Sequence, residues 1–127
     1  MNDTDRQHLI ERYIAAYNAF DIDGMAAVLS PSIRFDNYAQ GVKSHETAGI
    51  EAFRTLAQSS VAMFSQRRQN VLSLEFDPDR VIAAIVFNGT LAVDIPDGPK
   101  AGSEVAMEGR SEFTFEDGRI ATIVDRS

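Results

Sequence analysis

Hydrophobic positions recur along the chain with two different periods, and the switches between them mark out its elements. In the first twenty residues Leu9, Ile10, Tyr13, Ile14 and Tyr17 fall at the three-to-four spacing of a helix with one packed face. Thr4 as N-cap and Gln7 three positions later form a capping box ahead of it, and the helix is predicted to end within 18–20. A short second helix is predicted over 22–29, capped by Asp21, weakened by Gly24 and stopped at Ser30-Pro31. Residues 32–38, SIRFDNY, then alternate as a strand, with Ile33 and Phe35 set against Arg34 and Asp36. The stretch AQGVKSHE follows as a predicted loop. A third helix is predicted over 48–64, with Thr47 as cap and Ile50, Phe53, Ala57, Val61 and Phe64 as its inner stripe.

From residue 66 the period is two. Strands over 66–76 and 80–94 flank the turn Asp77-Pro78-Asp79. The second contains the near-continuous apolar run VIAAIVF, broken at Asn88-Gly89, where a bulge is expected. The loop IPDGPKAG leads into residues 104–126, a long β-hairpin whose turn is Glu116-Asp117-Gly118. In its first strand Val105, Met107, Gly109, Ser111, Phe113 and Phe115 form an inward face, and Ser111 is the polar residue on it. A strand of about 13 residues at ~3.3 Å each would run about 43 Å, so it must curve, and Gly109 is the expected bend.

The predicted order ααβαββββ is an α+β fold in a single domain spanning residues 1–127. A curved, largely antiparallel sheet forms a cone, and three helices close one end of it. Size permits this, because 127 residues suffice to bury roughly two-thirds of the unfolded surface.

Composition narrows the function classes. With no cysteine there is no disulfide framework, thiolate nucleophile or thiolate metal ligand. The net charge of −7, with no basic stripe beyond Arg67-Arg68, disfavours nucleic acid and anionic membranes. No apolar run approaches ~20 residues, and MNDTDRQHLIERY lacks the core of a signal peptide, so a cytoplasmic location is expected. Asp94, Asp97 and Asp125 lack metal-site spacing, His8 and His45 do not cluster, and no metal or cofactor is expected. The run at 81–87 has more apolar surface than three helices can cover, which predicts a homodimer through the open sheet face.

The helix ERYIAAYNAFDIDGMAAVL, the strand IRFD, the GIEAF helix start and the ending SEFTFEDGRIATIVD resemble the nuclear transport factor 2-like superfamily. That group, of cystatin-like α+β barrel form, contains ketosteroid isomerase and the SnoaL-type polyketide cyclases. The resemblance implies a tyrosine oxyanion donor at Tyr13 and an aspartate base at Asp36. It sets Ser111 where ketosteroid isomerases carry a protonated aspartate. In SnoaL-like members an acidic residue on the last strand falls at or near Asp125. A pocket in the cone would be lined by aromatic residues Tyr17, Phe35, Phe53 and Phe64. Phe87, Met107, Ser111, Phe113 and Ile123 would complete it.

The residues themselves leave alternatives. Alternation puts Asp36 with Arg34 and away from Ile33 and Phe35, opposite to what the resemblance implies. Asp125 starts from a strand with two largely apolar faces, either in the pocket or paired with Arg126 or Arg110. Tyr13 and Tyr17 fit a packed core as well as a site. The function expected is cofactor-free proton-transfer chemistry, of isomerase, cyclase or lyase type, on a small hydrophobic carbonyl compound. The alternative is a non-catalytic protein of the same fold, binding a small ligand or acting as a dimeric scaffold.

Overall fold

In a computed structural model that describes all 127 residues, the first helix, α1 (Asp3–Asn18), begins two residues earlier than the capping box predicts. Asn2 is the N-cap, its side-chain oxygen accepting from the Asp5 N–H at 2.8 Å, and Thr4 lies inside the helix. Ile10, Tyr13 and Ile14 are buried, with Leu9 and Tyr17 packed beside them. Asp21 caps α2 (Ile22–Ala27) by accepting from the Gly24 N–H at 2.9 Å. A Cβ on residue 24 would collide with that same carboxylate, so the glycine makes room for the cap.

The second helix stops at Ala27, and β1 (Leu29–Ala39) takes in the Ser30-Pro31 pair expected to lie between elements. The pairing of β1 with the last strand skips between Leu29 and Arg34, which accommodates a proline without a ladder hydrogen bond. A larger correction follows. Residues 40 and 41 form a two-residue turn with φ of 51° and 80°, and β2 (Val42–Ala48) folds back on β1 where a loop was predicted. VKSHETA is an almost wholly exposed edge strand, so no buried face imposes alternation on its sequence. Thr47, the expected helix cap, sits in this strand opposite Phe35. The third helix, α3 (Ile50–Met63), starts from Gly49 without a side-chain cap.

Strands β3 (Phe64–Phe76), β4 (Val81–Leu91), β5 (Glu104–Glu116) and β6 (Arg119–Arg126) complete the order ααββαββββ. The six strands lie in the sequence β2-β1-β6-β5-β4-β3, antiparallel throughout except for the parallel pair β1–β6. This is the α+β architecture expected, a curved mixed sheet with three helices, and the sheet does not close on itself. The β5–β6 hairpin turns at Asp117 and Gly118, both with positive φ.

Two glycines expected at irregularities serve close approach instead. Pairing runs unbroken through Asn88-Gly89 on both sides of β4, and a Cβ at residue 89 would meet the Phe64 ring at 2.9 Å. Gly109 pairs regularly with Ile85, and a Cβ there would lie 2.5 Å from the Arg126 carbonyl oxygen. In the β5–β6 pairing the register shifts instead between Thr114 and Phe115, and in β3 it shifts between Phe64 and Gln66 and again between Val71 and Ser73. At the latter, Leu72 is an extra residue, and it is 67% exposed.

Helices cover one face of the sheet. The core joins Ile10, Tyr13, Met25, Phe53 and Ala57 to Ile33, Val81, Ala83, Phe113, Ile120 and Ile123. Arg6 ties α1 to the β3–β4 turn, bonding the Asp77 carbonyl at 2.8 Å and pairing with Asp3. The other face is ionic on β2, β1, β6 and β5, where Glu112 pairs with Arg80 at 2.6 Å and Arg126 at 2.7 Å. On β4 that face carries the half-buried stripe Ile82, Ala84 and Val86. No helix is long and apolar enough to cross a membrane.

Candidate functional site

Register brings four polar residues into one row across the helix-covered face. Asn37 of β1 lies opposite His45 of β2 and Asp125 of β6, and Asp125 lies opposite Ser111 of β5. Directly opposed side chains on neighbouring strands stand about 5 Å apart, so the row is a contiguous polar band. One step along the strands, Phe35, Ile123, Phe113 and Val81 form a second row. Phe113 and Ile123 are 0% and 1% exposed. They form the floor beneath the site rather than lining its cavity, as they had been expected to do. Period two tells which face a residue is on, not how deep it lies.

Above this floor lies a cleft in two lobes, of about 350 Å³ and about 250 Å³. The larger is bounded by Phe64, Ile85, Phe87, Met107 and Ser111, with Arg110 and Ser127 also on its lining. The smaller runs under α3, between Tyr13, Phe35, Phe53, Leu56 and Met63. Tyr17, Asn37, Gln69 and Asp125 line both. Asp125 therefore stands at the junction of the lobes.

The Ser111 hydroxyl donates a 2.6 Å hydrogen bond to Asp125 Oδ1. Burial pushes the Asp125 carboxyl up to about 6, against the opposing pull of that hydrogen bond. What surface Asp125 retains lines the cleft. Tyr13 packs edge-on to Phe113 at 6.2 Å and is buried, and burial, with the nearby Asp125 carboxylate, holds its hydroxyl well above the usual phenol range. Burial also raises Tyr17, with Arg67 and Gln69 pulling the other way. Both phenols are thus neutral hydrogen-bond donors at physiological pH.

Asp36 is elsewhere. It shares its face with Arg34 and Tyr38, and its carboxylate lies 3.8 Å from Lys43 Nζ on the far side of the sheet. Alternation along SIRFDNY places it correctly, and its neighbour Asn37 occupies the cleft instead.

A family model for the SnoaL-like domain matches residues 10–123. The chain belongs to the SnoaL-like family. Solved structures share its architecture end to end. A candidate polyketide cyclase from Xanthomonas campestris pv. campestris superimposes with a TM-score of 0.84 at 24% identity, covering 100% of this chain and 93% of its own. AclR, a candidate hydroxylase from Streptomyces galilaeus, gives 0.77 at 22% identity, covering 98% of this chain and 89% of its own. A protein with a ketosteroid isomerase-like fold from Catenulispora acidiphila, solved with trimethylamine, gives 0.74 at 12% identity, covering 92% of this chain and 82% of its own. At these identities the likeness shows the fold. No curated protein matches the sequence.

Among the polar residues that sequence reasoning did not place in this SnoaL-like cleft are Asn37, His45, Arg67 and Gln69. Asn37 had been overlooked beside Asp36, although it alternates in phase with Phe35. His45 reaches the rim of the smaller lobe through β2, the strand without a hydrophobic signature. Arg67 and Gln69 of β3 face inward together with Leu74 and Phe76, which have the opposite parity in sequence. The extra residue at Leu72 reverses the phase and hides them. No group of three His, Asp or Glu side chains converges to hold a metal ion.

Proposed function

We propose that this SnoaL-like domain catalyses proton transfer, of isomerase, cyclase or lyase type, on a small, mainly hydrophobic carbonyl compound. Asp125 is the proton carrier. The observation that carries this reading is the place of its carboxyl, bonded by Ser111 at the junction of two apolar lobes, where burial pushes it up to about 6. At pH 7 such a group is about nine-tenths ionised yet still takes a proton readily, which suits a general base.

Ser111 occupies Oδ1 and fixes the carboxylate, which leaves Oδ2 to remove a proton α to the substrate carbonyl. The C–H electron pair then moves into the carbonyl and forms an enolate oxygen. Tyr13, a neutral phenol near Asp125, donates a hydrogen bond to that oxygen. Return of the proton to another carbon completes an isomerisation, and attack by the enolate carbon on a second carbonyl of the same molecule, with the proton passed from Asp125 to the new alkoxide oxygen, completes a cyclisation. Asp36 has no part in this, because it faces Lys43 across the sheet. The fold shared with the candidate polyketide cyclase from Xanthomonas campestris is compatible with this reading.

The test is deuterium incorporation from D₂O into a panel of small enolisable ketones, read by mass spectrometry. Wild-type protein is expected to accelerate exchange, and Asp125→Asn to reduce it by about 10²-fold or more. Exchange no faster than in buffer, or equal in the variant, overturns the reading. The apolar lining of the lobe under α3 favours, as second reading, a non-catalytic small-ligand protein. Tight binding without any exchange would support that instead. The same cleft serves either reading. We further propose that Ile82, Ala84 and Val86 on the open sheet face meet a second copy of the chain.

A further inference from the structure

Besides Asp125, three charged side chains are buried in this protein, and two of them have counter-ions. Arg6 pairs with Asp3, and Glu112 with Arg80 and Arg126. Arg67 is 6% exposed and forms no ion pair. Its Nε and Nη2 donate to the Tyr17 carbonyl at 3.2 and 3.1 Å, and Nη1 donates to Ser60 Oγ at 3.0 Å. The guanidinium stacks over the Tyr17 ring, 3.7 Å from its centroid, with Phe20 at 4.8 Å.

These contacts anchor the side chain but do not neutralise it. A guanidinium has five N–H donors, and three are engaged, which leaves one on Nη1 and one on Nη2. The carbonyl end of α1 offsets only about half a charge. A full positive charge removed from water calls for an anion, and Asp125, which lines the same lobe, makes no ion pair with it. Arg67 also lines the smaller lobe, together with Ser59 and Ser60 of α3. The free donors of a fixed, planar fork suit a carboxylate better than a neutral carbonyl.

We infer that the lobe under α3 binds the carboxylate of a small organic acid on Arg67, with the acid's apolar body directed toward Asp125. The two charges of the cleft set this orientation. Asp125 is ionised at neutral pH and repels an anion, so the carboxylate goes to the arginine end and carbon to the aspartate end. This deepens the proton-transfer reading, by making the substrate a keto acid or similar oxo acid, and it rests on the same cleft being the binding site.

Hydrocinnamate and its amide, hydrocinnamamide, are matched probes that differ in charge, and their affinities can be compared by NMR titration. The acid is expected to bind wild-type protein about 10-fold or more tightly than the amide, with shifts at the Arg67 Nε–H and the Ser60 amide. Arg67→Gln should remove the preference and leave amide affinity within about twofold. Equal binding of acid and amide to the wild type overturns the inference without recourse to any variant. So does an acid preference whose shifts lie away from Arg67, or one that persists unchanged in a folded Arg67→Gln. Asp125→Asn keeps or strengthens the preference, whether or not the wild type exchanges protons, so this inference and the catalytic reading fail separately.

Discussion

Ser111 and Asp125 face each other across the β5–β6 hairpin, and the serine hydroxyl donates a 2.6 Å hydrogen bond to the aspartate carboxylate. The bond stabilises the ionised carboxylate and opposes the effect of burial. Ser111→Ala removes the donor while leaving the burial. The Asp125 carboxyl is then expected to titrate above about 6, and ¹³C-detected NMR on the side chain reads the change. A lower value in the variant would contradict the assignment of cause.

The same carboxyl links stability to pH. Its folded value of about 6 lies above the ordinary 3.8, so between the two the folded state binds more protons than the unfolded chain. Its contribution is greatest below about pH 4 and is lost as pH rises through about 6, by about 3 kcal/mol at most. Asp125→Asn carries no such charge. Urea denaturation is expected to show the variant gaining on the wild type as pH goes from 4 to 7. Parallel pH profiles for the two proteins would refute this.

Gly109→Ala tests how the hairpin is held in register beside the site. An added Cβ meets the Arg126 carbonyl at 2.5 Å, and backbone cannot yield as a flexible side chain does. The expected cost is about 1–3 kcal/mol, with a weakened Ser111–Asp125 bond and a shifted Asp125 titration. Urea unfolding and the same NMR titration measure both.

The proposed dimer depends on a narrow stripe. Ile82, Ala84 and Val86 are flanked by charged and polar side chains of β3 and β5. Val86→Glu places a charge in the stripe and is expected to convert a sedimenting dimer to monomer at micromolar concentration. A monomeric wild type would remove the proposal.

Much of this molecule is visible in the alternation of its sequence, and the gaps have physical reasons. The β5–β6 hairpin has one buried face and a positive-φ turn, so pattern and turn chemistry agree and place Ser111 inward. Asp36 is the instructive case, because its parity puts it outside whereas family likeness puts it inside, and parity is right. Edge strand β2 buries almost nothing, so it leaves no periodic trace and conceals His45. Arg67 is hidden by one inserted residue, Leu72, which shifts the phase of β3 midway. A basic pair in an acidic chain, Arg67-Arg68, looks like a solvated surface until register separates its buried member from its exposed one.

The measurement closest to the central claim is the pKa of the Asp125 side-chain carboxyl in the wild-type protein, followed by NMR from pH 3 to 8. A midpoint near 6 places the group in the cleft as a base poised for work at neutral pH. A midpoint near the ordinary 3.8 would mean that water reaches the carboxylate freely, and the proton-transfer site proposed here would not exist.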